Sequence, residues 1–196
     1  MSLPHSRKIC IVGPQGCQKT EAALALESRL LALGVQVKVA EEYVNSYIQS
    51  FGVPFNIFQQ MFILQKQKQL EQKISEEYDC LITSVAPWSV LAYAQQIIQL
   101  DLPLVKVQRN GLSVDVRKVY DHALSEIMID SIEDIKTFDY IFFIEKVAST
   151  KDDVFIADTL KNFLDSMCCQ GVSYTKITGS LTDKVQQIVN KVGGGG

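Results

Sequence analysis

The sequence predicts an α/β fold of three layers, a mostly parallel five-stranded sheet with helices on both faces. Short apolar, β-branched runs recur along the chain, and stretches of helical periodicity separate them. That alternation is the pattern of βαβ units. A glycine-containing loop ending in Lys19-Thr20 lies between the first strand pattern and the first helix pattern. The 196 residues, 47% of them hydrophobic, supply apolar material for one α/β domain or a domain with a small lid.

The elements follow in order. Lys8-Ile9-Cys10-Ile11-Val12 reads as a strand buried in a parallel sheet. Ala23, Leu26, Leu30 and Leu33 then recur at spacings of three and four, and Gly34 is a C-cap for that helix. Residues 35–40 alternate apolar and polar, as a strand with one more exposed face does, and run into Glu41-Glu42-Tyr43. A short helix to Gly52 comes next. Pro54-Phe55-Asn56 starts a helix that runs to about Glu77, with Phe58, Met61, Phe62 and Leu70 inward and Gln65 to Lys73 on a solvated face. Residues 78–84 form the third strand. A helix over about Trp88 to Gln99 is broken by Asp101-Leu102-Pro103, and the segment 111–137 reads as mostly helical, with Val114, Val119, Leu124 and Ile127 apolar. Tyr140-Ile141-Phe142-Phe143-Ile144 is a fourth buried strand; helix 153–169, strand 172–178 and helix 180–192 complete the pattern. With no repeat and no linker, residues 1–192 read as a single domain, and Gly193 to Gly196 as a flexible tail.

Composition narrows the partners. The net charge is −3, from 19 basic and 22 acidic residues, and no basic tract stands out, so nucleic acid is not expected. No apolar stretch approaches 18 residues, which argues against a membrane span, and residues 1–8 lack the apolar segment of a secretory signal. The five cysteines (Cys10, Cys17, Cys80, Cys168 and Cys169) have no metal-ligand spacing. Cys10 and Cys80 fall in core strands as small hydrophobes, and Cys168-Cys169 reads as structural. A reducing, cytoplasmic setting fits this usage. His5 falls in a terminal segment and His122 in a helix, and neither has a partner suggesting a metal or a triad.

Gly13-Pro14-Gln15-Gly16-Cys17-Gln18-Lys19-Thr20 carries the chemistry. It matches the phosphate-binding pattern G-x-x-x-x-G-K-[ST] except that Gln18 stands where the second glycine belongs. In such a loop successive backbone N–H groups cradle the phosphates, the lysine reaches the β/γ-phosphates, and the hydroxyl ligates Mg²⁺. Gly13 to Thr20 are thus the candidate residues for ATP, with Thr20 the candidate for Mg²⁺. The glycine before the lysine adopts a backbone conformation that a side chain resists. A carboxylate at the end of the third strand usually helps to hold the metal. Here that strand ends in Thr83-Ser84, with no carboxylate before Trp88.

Gly13-Pro14-Gln15, the Glu42-Tyr43 pair, Gln67 with Glu71, and the run from Ile82 to Ala94 together resemble the P-loop small-molecule kinases. The group in question contains bacterial ribosylnicotinamide kinase, nucleoside and nucleotide kinases, and phage AAA-type ATPases. The resemblance covers about residues 8–192, with motifs only in the first half, and implies a sheet ordered 2-3-1-4-5. The family's third strand typically ends in a run like Asp-Arg-Ser-Pro-x-Asp. This chain keeps Pro87, Ala92 and Tyr93 but has Ser84, Val85 and Ser89 at the Asp, Arg and Asp positions. The resemblance also implies lid arginines after strand four, whereas residues 145–158 hold only Lys146 and Lys151, and no arginine follows Arg117. Lysine gives a point charge without the bidentate fork.

By the same resemblance Lys19 and Glu42 are the candidate catalytic residues, Glu42 as base toward a substrate hydroxyl. The alternative for Glu41-Glu42 is a solvated acidic pair at a strand end, and Asn45 stands where the family has an arginine. Trp88 either covers the substrate pocket or packs in the core. Two functional classes follow: a nucleotide-binding module, regulatory or assembling with a protein partner, whose phosphoryl transfer is weak or lost, and an active ATP-dependent kinase for a nucleoside-like substrate. An ATPase or GTPase switch is a third, which would need a carboxylate on Mg²⁺ that the sequence does not supply.

Overall fold

The computed structural model describes residues 6–54, 56–101, 106–109, 112–146 and 150–193. His5, Phe55, the Leu102-Pro103 break and Gly194 to Gly196 lie outside them. The central sheet comprises β1 (Arg7–Val12), β2 (Val37–Val39), β3 (Cys80–Thr83), β6 (Tyr140–Ile144) and β7 (Thr175–Ile177). Their spatial order is β2-β3-β1-β6-β7, every pairing parallel. Counting only these five, that is the predicted 2-3-1-4-5. Strands β2 and β7 are shorter than the runs 35–40 and 172–178 that predicted them.

Alternation along β1 assembles the two faces. Cys10 and Val12 point to one side, where they join Trp88, Leu91, Ile127 and Leu164. Ile9 and Ile11 point to the other, against Ala23, Leu26, Val185 and Ile188. Helices α3 (Ile57–Glu77), α4 (Pro87–Asp101), α5 (Val116–Ile135) and α6 (Lys151–Cys168) thereby cover the first face, and α1 (Lys19–Ala32) and α7 (Leu181–Gly193) the second. The short α2 (Tyr43–Phe51) runs from the end of β2 toward α3.

Two expectations are corrected. The segment 111–137 is not helical from its start: β4 (Lys106–Arg109) and β5 (Leu112–Asp115) form an antiparallel pair, with Arg109 opposite Leu112. Helix α5 begins at Val116, where the Asp115 carboxylate accepts from the Arg117 N–H at 3.1 Å. The missed signal was Asn110-Gly111 between Val107 and Val114, the strongest short hairpin sequence.

The inward face of α3 also differs. Asn56 caps this helix through a reciprocal box with Gln59, and the start at Ile57 agrees with the sequence. Yet Ile57, Gln60, Ile63, Leu64, Gln67 and Glu71 are buried, while Phe58, Phe62 and Leu70 are exposed. Gln67 and Glu71 turn inward because both find partners there. Gln67 accepts from the Tyr43 N–H at 2.9 Å and donates to Glu71 at 3.0 Å, and Thr83 Oγ1 donates to Glu71 at 2.6 Å. The displaced aromatics meet other rings at the surface, Phe62 against Tyr43 and Tyr47, Phe58 against Tyr120.

Candidate functional site

Strand β1 carries the chain to the end of the sheet, and the loop 13–18 then returns it into α1. Gly13 is fixed by close approach: a Cβ there would stand 2.7 Å from the Ile144 carbonyl oxygen and 2.8 Å from Cys17 Sγ. Gly16 has φ +70°, and Lys146 crosses the loop beside it, its Nζ donating to the Gln15 carbonyl at 2.9 Å. Gln18 has φ 67° and ψ 30°, and among the described residues it alone adopts positive φ without being glycine. The loop keeps the left-handed turn that the motif requires, at a strain of about 1–2 kcal/mol for a residue with a Cβ.

Gln18 is held from behind. Lys184, from the first turn of α7, donates to Gln18 Oε1 at 3.0 Å and to the Cys17 carbonyl at 3.2 Å. Its side chain is buried, and the sequence reading missed it. The signal was a lysine on the apolar stripe of α7 between Leu181 and Ile188. Cys17 faces inward as well. Burial raises its thiol above the ordinary value, against the opposing pull of Lys19 and Lys184, so it stays protonated and unreactive at neutral pH.

On the other side of the loop, Thr20 Oγ1 donates to Glu42 Oε1 at 2.8 Å. Ser84 Oγ donates to the same oxygen at 2.7 Å. Asn45 Nδ2 reaches Glu42 Oε2 only at 3.5 Å. The structure therefore brings Thr20, Glu42 and Ser84 together, from α1, the end of β2 and the end of β3. Glu41 is exposed and is not part of this group. Tyr93 borders it: burial and then the charge of Glu42 raise its phenol above the ordinary value.

The Glu71 network supports this group one layer further in. Thr83 Oγ1, bonded to Glu71, also lies 2.8 Å from the Val85 carbonyl oxygen and accepts from the Val85 N–H at 3.3 Å, and so fixes the turn after β3 that presents Ser84. Gln67 anchors the first N–H of α2, next to Glu42. Burial pushes the Glu71 carboxyl up to about 7, although the Thr83 and Gln67 bonds favour its ionised form.

Trp88 belongs to the core. It is fully buried, stacks on Phe163 at 6.0 Å and meets Phe138 edge-on at 5.7 Å. His122 is exposed on α5, and Cys10 and Cys80 are buried strand residues. Beside the loop lies an open cavity of about 460 Å³, lined by Pro14, Phe143, Lys146, Lys161, Thr178 and Gly179 among others. Among the described residues no helix is long and apolar enough to cross a membrane.

No family model matches this sequence, and no curated protein matches it. Solved structures do. A NadR protein in complex with NAD and AMP-PNP superposes with a TM-score of 0.68 at 11% identity, over 97% of this chain and 50% of that one. This chain thus spans about half the length of that protein. Thymidylate kinase from Candida albicans gives 0.62 at 12% identity, over 97% of this chain and 92% of that one. Thymidylate kinase from Ehrlichia chaffeensis gives 0.63 at 16% identity, over 97% and 99%. The loop, the all-parallel sheet in the order 2-3-1-4-5 and these superpositions agree: the chain has the fold of the P-loop nucleotide kinases.

Proposed function

We propose that this chain binds a nucleoside triphosphate with Mg²⁺ at residues 13–20, and that it serves as a binding or regulatory module in which phosphoryl transfer is weak or lost. The observation that carries the binding half is the left-handed turn at Gly16 and Gln18, kept despite the glutamine. That turn and the N-terminus of α1 aim backbone N–H groups at an anion, with Lys19 as the adjacent charge. The cavity beside Pro14 and Thr178 is large enough for a nucleoside.

The residues present fit a magnesium ion. Thr20 Oγ1 and Glu42 Oε1 are hard oxygen donors in direct contact, and Glu42 reaches from β2 the place that a carboxylate at position 84 would serve. Thr20 and Glu42 would hold the ion, whose positive charge would offset that of the phosphates. The bonds from Thr20 and Ser84 both engage Glu42 Oε1 and turn that oxygen toward the loop, which supports the metal-holding role. The transfer half rests on missing charge. Val85 and Ser89 replace the charged residues that the kinase resemblance implies, and the segment after β6 contributes lysines where it implies arginines. Losing one such stabilising group commonly costs about 10²–10³ in rate.

The active-kinase reading is favoured by one observation, the intact Thr20–Glu42–Ser84 contact. A transfer assay with Mg-ATP and a panel of nucleosides and nucleoside monophosphates separates the two. The module reading expects turnover well below about 1 s⁻¹, the low end of ordinary enzymes. Turnover in the ordinary range on any member of the panel would establish the kinase instead.

A further inference from the structure

We propose that Lys184 is a positioning residue for the phosphate loop, and that the Gln18–Lys184 pair does together what the missing glycine does alone. Lys184 is 6% exposed, and among the described residues it forms no ion pair. It stands in the first turn of α7, where the helix dipole disfavours a cation. A buried ammonium in such a place persists only where hydrogen bonds compensate for its lost hydration. Both of its acceptors belong to the loop, the Cys17 carbonyl at 3.2 Å and Gln18 Oε1 at 3.0 Å.

One bond acts on the Cys17–Gln18 peptide unit and the other on the Gln18 side chain. Drawing the Cys17 carbonyl toward α7 turns the N–H of Gln18 the opposite way, because the two are antiparallel across a trans peptide. Holding the Gln18 side chain at the same ammonium fixes the residue itself at φ 67°. A glycine reaches this conformation with no such support. The glutamine is therefore matched to the lysine, and the loop stays set for a di- or triphosphate anion. This assignment of the ligand rests on the nucleotide-binding reading; the brace itself does not.

A double-mutant cycle over Gln18→Gly and Lys184→Met tests the pair, read by thermal unfolding and by calorimetric binding of a non-hydrolysable ATP analogue with Mg²⁺. We expect Lys184→Met to lower Tm by about 4 °C more in the parent protein than in the Gln18→Gly background. We expect it to weaken analogue binding by about tenfold in the parent and by less than about threefold once Gln18→Gly is in place. Equal effects in the two backgrounds would overturn the brace. If the parent protein binds no analogue, the nucleotide reading fails, and the thermal cycle still decides the brace. Should Lys184→Met not fold in either background, Lys184→Gln replaces it. That variant keeps a donor, and a loss specific to the background that retains Gln18 again supports the pair.

Discussion

At Glu42, one carboxylate oxygen receives both the Thr20 and the Ser84 hydroxyls. Ser84, which the sequence presents only as a lost carboxylate, orients the carboxylate that is there. Replacing Ser84 with Asp would set two carboxylates against each other. Ser84→Asp combined with Gln18→Gly should tighten nucleotide binding when Mg²⁺ is present and weaken it when EDTA is added, because only a cation relieves that repulsion. Calorimetric titrations of the double variant in the two buffers check this, and tightening in EDTA would count against a metal at Glu42. Glu71 gives a second prediction. Its carboxyl titrates at about 7 in the folded protein and near 4.5 when unfolded. Below pH 4.5 both states hold the proton and there is no penalty. Between the two values the folded state binds more protons, so stability falls as pH rises, by on the order of 3 kcal/mol, and levels off above pH 7. Denaturant melts of Glu71→Gln, which keeps the acceptor for Thr83, should show a flatter profile across that window. Residue-scale legibility was uneven for a physical reason. Gly13 and Thr20 follow a local pattern, whereas Lys184 meets Gln18 across 166 positions of sequence, and only the packing of α7 joins them.

The elements were read where periodicity and caps agree. Helix α1, strand β6 and the start of α3 at Ile57 fall where the pattern puts them. The inward face of α3 did not, since the sequence offers aromatics on one stripe and amides with an acid on another. The fold buries the polar stripe because β3 and the start of α2 supply its partners. The hairpin β4–β5 was overlooked because its two short strands adjoin helix patterns on both sides, which hid the Asn110-Gly111 signal. Helix α4 provides a direct test of packing. Trp88→Ala should cost about 3–5 kcal/mol in denaturant unfolding, the range for losing a large buried aromatic. Trp88→Phe should cost much less, because the buried Trp88 Nε1 has no hydrogen-bond partner among the described residues and its removal offsets part of the lost contact. Equal losses for the two substitutions would mean that Trp88 is not held by its stacking on Phe163.

For the molecule as a whole, the order 2-3-1-4-5 places the ends of β1, β2 and β3 side by side, so the loop, Glu42 and Ser84 converge although they lie far apart in sequence. The topology followed from the alternation of strands and helices together with the resemblance. The convergence did not, because it depends on where each strand stops. The same arrangement has solved counterparts at 11–16% identity, so the backbone plan tolerates almost complete replacement of its residues. On the proposed reading, nucleotide binding rests on the set of charges at the sheet's end. Calorimetric titration of the intact chain with a non-hydrolysable ATP analogue, with and without Mg²⁺, measures that set directly. The prediction is Mg²⁺-dependent binding with Kd between about 10 and 1,000 μM, or about −7 to −4 kcal/mol, abolished by Lys19→Ala. Absence of binding under both conditions, or binding unchanged in Lys19→Ala, would contradict it.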